Sequence, residues 1–310
     1  MNQNALSMGL TEWAILIGLS LLWGGSFFFV ELAIVDIPTL TLVWLRVTIA
    51  AICLWAVVFI KKIEIPKTRK IWLPLLFMGL FNNALPFSLI VWGQHEIPSG
   101  LAAIFNATMP LFTVLVAGVF LADESISSLK LFGVLLGFSG VIAMIGPSQL
   151  LHLEGPVLAQ VAILGAAFCY AIASTYGRRF RSMSVPLIIT AAGQVSCASL
   201  LLAPLAWQVD GILDLSSVSI RSAMAVLSLG VFCTALAYVG YFRILSSSGA
   251  TNLSLVTFLV PVSAIFLGWL FLNETLQWIH YFGMGLIAIG LAAIDGRPFR
   301  YFLNKATTQA

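Results

Sequence analysis

The fold class this sequence predicts is an all-α polytopic membrane protein of ten transmembrane helices, arranged as two inverted five-helix repeats. Three observations predict it. The 310 residues are 60% hydrophobic and only 9% charged, where soluble domains carry about a quarter charged residues. A mean hydropathy of +1.04 is more than one soluble core can hide. Landmarks in the last fifth of the chain, Pro261, Glu274, Gly283 and Gly290, recur earlier as Pro110, Glu124, Gly133 and Gly140. The offset is 151 residues for the prolines and 150 for the other three, so the chain divides into two related halves. Lys and Arg, finally, gather in alternate connections.

A bilayer crossing needs about 20 apolar residues. Ten such spans are expected, near 12–33, 38–60, 71–93, 98–120 and 127–146 in a first repeat (12–146), then 156–177, 184–206, 220–242, 249–272 and 275–295 in a second (156–295). Asp36-Ile37-Pro38, Gly146-Pro147-Ser148 and Gly155-Pro156 punctuate them as turns and helix starts. Connections are short, which leaves no room for an inserted soluble domain. The first eleven residues hold no Lys or Arg, and the apolar run after them is too long for the core of a signal peptide, so the first helix is expected to be retained.

Orientation follows from the basic residues. Of the 15 Lys and Arg, Arg46 lies within a span and Arg221 falls on one side. The other thirteen fall on the opposite side, in the loops around Lys61–Lys70, Lys130, Arg178–Arg181 and Arg243 and in the tail. That bias puts both termini in the cytoplasm. Five spans per half is an odd number, so the second half enters the membrane upside down. Inverted repeats of this kind are a transporter feature, with substrate bound near the midplane at the repeat interface.

Other classes find little support. No basic cluster sits on a soluble segment, so nucleic acid is not an expected partner. An enzyme would need a nucleophile, an acid–base pair or a metal cluster near the membrane surface, and none is visible. No phosphate loop and no cofactor motif is present. Cys53, Cys169, Cys197 and Cys233 all fall within apolar runs without metal spacing and read as small packing residues. Gly133-x-x-x-Gly137 fits close helix packing inside the chain, and no oligomer is implied.

Two segments resemble EamA-type repeats of the drug/metabolite transporter superfamily. The second is carried by Gly230 through Leu245, with Tyr238 inside it, then Pro261, Leu272-Asn273-Glu274, Gly283 and Gly290. The first is carried by Leu22-Trp23-Gly24, Leu45-Arg46, Pro110, Glu124, Gly133 and Gly140. Its hinge, Leu121-Ala122-Asp123-Glu124, is one residue longer than the family pattern. The resemblance implies a secondary transporter of the inner membrane, exporting small amphipathic metabolites by alternating access. Within the superfamily the chain is most similar to exporters of aromatic and neutral amino acids; amines, drugs or nucleosides are the alternative cargo, and a membrane enzyme is the alternative class.

Six residues are expected to bind substrate: Asn82, Asn106, Thr257, Trp23, Tyr238 and Arg46. Arg46 is the one ionisable residue deep in a span, roughly 12 Å below the helix start. Intramembrane charges mark functional sites by default. It reads either as partner to a substrate carboxylate or as a structural arginine bonded to helix-end carbonyls. Pro86, Pro110 and Pro261 each follow a polar residue by four, namely Asn82, Asn106 and Thr257. Proline removes the donor to that carbonyl and favours a kink, so these three are expected to line a central cavity with Trp23 and Tyr238 as walls. No carboxylate or histidine lies at midplane, which favours transport without an obligatory proton. Glu124 and Glu274 are expected in the first turn of the helix after each.

Overall fold

The computed structural model describes residues 9–66, 68–121, 127–145, 155–183, 185–253 and 255–295, and every element among them is helical. In order these are α1 (Leu10–Ala33), α2 (Thr39–Ile60), α3 (Trp72–Gly79), α4 (Leu85–Gly93), α5 (Ser99–Asn106), α6 (Met109–Phe120), α7 (Ser128–Ile145), α8 (Pro156–Gly177), α9 (Arg179–Ser182), α10 (Leu187–Val209), α11 (Ile220–Gly230), α12 (Ala237–Leu253), α13 (Val256–Leu272) and α14 (Trp278–Asp295). Among the described residues, eight helical stretches are long and apolar enough to cross a membrane, and α13 and α14 are shorter apolar helices. Three of the eight are composite: Trp72–Gly93, Ser99–Phe120 and Ile220–Leu245.

Prolines set the helix starts. Pro38, Pro98 and Pro186 stand immediately before α2, α5 and α10, and Pro156 opens α8. The helices are apolar around most of their circumference, so their outer faces carry exposed Ile52, Phe59, Leu73, Leu200, Phe266 and Trp269. A helix apolar all round belongs in a core or in lipid.

Three boundaries differ from expectation. The connection expected between spans at 243–248 is helical, because α12 runs on to Leu253; no proline stands in Arg243–Leu253 to stop it. The span expected over 98–120 is broken at Ala107-Thr108, just before Pro110. The span expected over 71–93 contains a π-turn, Leu80–Ala84, in which the Leu85 N–H reaches back five residues to the Leu80 carbonyl. A second π-turn, Val231–Leu236, divides Ile220–Leu245 at the corresponding place in the other half. There the Thr234 hydroxyl donates to the Leu229 carbonyl at 2.8 Å, occupying an acceptor that the wider turn leaves free.

Glycines bring helices of opposite halves into backbone contact. A Cβ on Gly133 would lie 2.5 Å from the Gly290 carbonyl oxygen, and one on Gly140 would lie 2.6 Å from that of Gly283. These are one contact exchanged between the halves, since 133 corresponds to 283 and 140 to 290 at the offset of 150. Gly79 and Gly230, each just before a π-turn, form a second such pair. A Cβ on Gly79 would strike the Gln194 oxygen of α10 at 2.7 Å, and one on Gly230 would strike Ile49 of α2 at 2.6 Å with the Arg46 oxygen at 3.1 Å.

The face that bears the loops after α1, α10 and α13 is tied by carboxylates. Asp36 accepts from the Ser219 N–H at 3.0 Å, from the Ser219 hydroxyl, and from the Ser222 hydroxyl at 2.6 Å, at the start of α11. Asp210 accepts from the Thr41 N–H and hydroxyl at 2.7 and 2.9 Å, at the start of α2. Each loop therefore caps the helix that leaves the other loop. Glu274 is a correction. It precedes α14, but Asn273 in the left-handed region (φ 55°) turns the chain, and the carboxylate accepts from Ser99 N–H, Ser99 Oγ and Gly100 N–H at 2.8, 2.9 and 3.1 Å. It caps α5, not its own following helix. Glu124 lies outside the described residues.

Candidate functional site

The site begins with α2 and α10, which pack antiparallel through small hydroxyls, Thr48 Oγ1 to Ser199 Oγ at 2.7 Å. Two residues before Thr48, on the other side of α2, Arg46 points inward and is 5% exposed. Its Nε donates to Thr234 Oγ1, in the second π-turn, at 3.0 Å, and its guanidinium lies 3.8 Å from the centroid of the Phe87 ring. Its electrostatic neighbours are Tyr170, Tyr238 and Cys233, none of them a carboxylate. A guanidinium has five N–H donors, and among the described residues only one finds an acceptor. The expected alternative, bonding to helix-end carbonyls, is not what the structure shows: a hydroxyl and a ring hold Arg46.

Beside it lies an amide network from the first π-turn. Asn82 Nδ2 donates to Gln194 Oε1 at 3.1 Å and to Tyr238 OH at 3.2 Å, and Asn83 Nδ2 donates to the same phenol at 3.2 Å. Asn83 is fully buried and its Oδ1 has no partner. An orphaned buried acceptor is costly, on the order of 1–3 kcal/mol, and marks a place where a donor belongs. Aromatic rings line the neighbourhood: Tyr238 stacks on Phe242 at 6.0 Å, Phe242 meets Tyr241 at 5.2 Å, and Phe87 meets Tyr170 at 6.4 Å.

Three of the six expected site residues, Arg46, Asn82 and Tyr238, thus come together. Trp23 is one ring further out, 5.9 Å from Tyr241. Asn106 and Thr257 make no described hydrogen bond to this cluster. Asn106 stands at the break between α5 and α6 with its Oδ1 buried and unpartnered. Thr257 is half-buried in α13, which continues through Pro261. The three prolines therefore act differently: Pro86 follows a π-turn, Pro110 follows a break, and Pro261 sits inside a continuous helix. Gln194, Thr234, Asn83 and Phe87 were not among the expected binders. The polar ones are mid-span residues in the sequence, but only the π-turns aim them at one point.

No group of three His, Cys, Asp or Glu among the described residues could hold a metal ion. The four cysteines are free, and Cys169, Cys197 and Cys233 are buried. What the site can do is bind a polar head group against rings, inside a helical bundle built from two halves. The model of the EamA-like transporter family matches residues 11–146 and 157–294. The chain belongs to the EamA-like transporter family. It is 23% identical to the uncharacterized transporter YoaV of Bacillus subtilis, over 89% of this chain and 94% of that one. It is 25% identical to the uncharacterized inner membrane transporter YedA of Escherichia coli K12, over 90% of this chain and 89% of that one. A crystal structure with 20% sequence identity superposes with a TM-score of 0.63, covering 92% of this chain and 96% of the other, and shares the fold. The protein is accordingly a multi-pass membrane transporter, and these relatives' names carry no substrate.

Proposed function

We propose that this EamA-like transporter exports neutral amino acids, aromatic ones among them, by alternating access between two inverted five-helix repeats. The observation that carries the reading is the pairing of a buried guanidinium that has no carboxylate partner with an orphaned amide oxygen in the adjoining network. Arg46 offers free donors to a carboxylate, which guanidinium binds best in a two-pronged geometry. Asn83 Oδ1 offers an acceptor to an ammonium. Phe87, Tyr170, Tyr238 and Phe242 suit an apolar or aromatic side chain, and their faces also favour a cation.

The donors that Arg46 leaves unused support a ligand for it. Burying an arginine at the bilayer centre costs at least about 3 kcal/mol. One hydroxyl bond and one ring contact, worth about 1 and 2 kcal/mol, roughly offset that cost. They leave the remaining donors for a substrate. Asn106, Thr257 and Trp23 stand further along the proposed path and not at the head-group site. The basic face is taken as cytoplasmic, so the carboxylate-tied face is the far one. The test is counterflow of labelled neutral amino acids in proteoliposomes, with each decarboxylated amine and each N-acetyl derivative as competitor. Competition by the parent amino acids alone is expected. An amine competing as well as its parent amino acid would refute the role of Arg46.

A further inference from the structure

The head-group site is built twice. Gly79 and Gly230 are counterparts, and the residue whose carbonyl each approaches is Gln194 in one half and Arg46 in the other. The residue three further on is also matched, Cys197 against Gly79 and Ile49 against Gly230. Gln194 therefore occupies in α10 the position Arg46 occupies in α2, at an offset of 148. The surroundings obey the same rule. Arg46 sits on Phe87, and the residue 151 beyond Phe87 is Tyr238, which lies in the Gln194 network. Arg46 bonds the π-turn of the opposite half at Thr234, and Gln194 bonds the π-turn of the opposite half at Asn82.

The two positions differ in height. The Thr48–Ser199 contact places the crossing of α2 and α10 between residues 48 and 51, and at 1.5 Å per residue Arg46 and Gln194 lie on opposite sides of it, about 10 Å apart along the helices. The side chains close that distance, since Tyr238, an electrostatic neighbour of Arg46, shares the Asn82 amide with Gln194. Gln194 is 3% exposed, its Oε1 is engaged by Asn82, and its Nε2 has no described partner.

We propose that Gln194 is the second head-group anchor of the substrate site, the counterpart of Arg46 in the other repeat, and that its lack of charge restricts the transporter to substrates with a single carboxylate. The proposal rests on the amino-acid reading above. A guanidinium at 194 would find a ring at Tyr238 and amide oxygens from the π-turn, as Arg46 finds Phe87 and Thr234. It would create a second carboxylate site when Arg46 is kept, and would replace the first when Arg46 is removed.

The experiment compares four purified proteins, wild type, Arg46→Gln, Gln194→Arg and the exchange Arg46→Gln/Gln194→Arg, for binding of neutral and dicarboxylic amino acids and for thermal stability. Loss of a charge-assisted pair changes affinity about tenfold or more, so Arg46→Gln should lose neutral amino acids by that factor. Gln194→Arg should gain about tenfold for dicarboxylic over neutral ones. The exchange should recover neutral amino acids to within a few-fold of wild type. Gln194→Arg, with two cations in one buried network, should melt below the exchange, which has one. Gln194→Lys replaces Gln194→Arg, alone and in the exchange, if the arginine variant does not fold. An exchange protein that folds but binds no better than Arg46→Gln overturns the proposal. If wild type binds no amino acid, the amino-acid reading fails on its own. The stability order then decides the pairing: Gln194→Arg melting at or above the exchange overturns it.

Discussion

Replacing Glu274 tests whether the cross-helix cap on α5 holds the fold together. The carboxylate receives three donors, two of them the first backbone N–H groups of α5, and Ser99 beneath it is fully buried. Hydrogen bonds to an ionised acceptor contribute about 1.5–3 kcal/mol each, and less where water can substitute. Glu274 is only half-buried, so about 1 kcal/mol per bond is the fair scale, or about 3 kcal/mol in all. Glu274→Ala should therefore lower Tm by about 5–10 °C. Glu274→Gln keeps one acceptor oxygen and should fall between wild type and alanine. The assay is thermal unfolding of purified protein in detergent, monitored by tryptophan fluorescence. If alanine, glutamine and wild type melt within a degree of one another, the cap contributes nothing and the tie between the loop before α14 and α5 is incidental.

Asp36 gives a pH signature. Bonds from the Ser219 side chain, the Ser222 side chain and the Ser219 backbone hold its carboxyl below the usual 3.8, so its contribution is present above that value and is lost as pH falls through the lowered one. Wild type should lose its stability advantage over Asp36→Asn between pH 4 and lower values, and an advantage unchanged down to pH 3 would contradict the cap. Transport energetics derive from the absence of a carboxylate among the described contacts of Arg46. Counterflow in vesicles should persist without a pH gradient and with a protonophore present, and its loss on collapse of the gradient would show obligatory proton coupling. Topology is read from cysteine labelling on a cysteine-free background: a probe at Lys62 should react only from the cytoplasm and one at Asp214 only from outside.

The membrane class and the twofold repeat are legible in the sequence because hydropathy and glycine spacing are local and periodic. Gly133, Gly140, Gly283 and Gly290 reveal the repeat by their spacing, whereas their meeting one another across α7 and α14 is seen only in the structure. Arg46 is legible for a similar reason, as a charge has few reasons to be in a span. Its partners are not. Thr234 and Phe87 converge on it only because each π-turn inserts extra residues into a turn, rotating the rest of the helix away from its regular register. Nothing in Val231–Leu236 advertises that turn, which contains no proline. The role of Glu274 is hidden for another reason. A carboxylate just ahead of a helix reads as that helix's own cap, and only the left-handed Asn273 sends it to α5. The pairing of Gln194 with Arg46 escapes the sequence offset as well. The landmarks from Pro110 to Gly290 give 150 or 151, whereas α2 and α10 are related by 148, since the connections between spans differ in length.

The most direct measurement is an experimental structure of the protein with a neutral amino acid bound. The account predicts the substrate carboxylate within hydrogen-bonding distance of the Arg46 guanidinium, its ammonium toward the Asn82–Asn83–Tyr238 network, and its side chain among Phe87, Tyr170 and Phe242. A substrate bound elsewhere, with Arg46 still held only by Thr234 and Phe87, would contradict it.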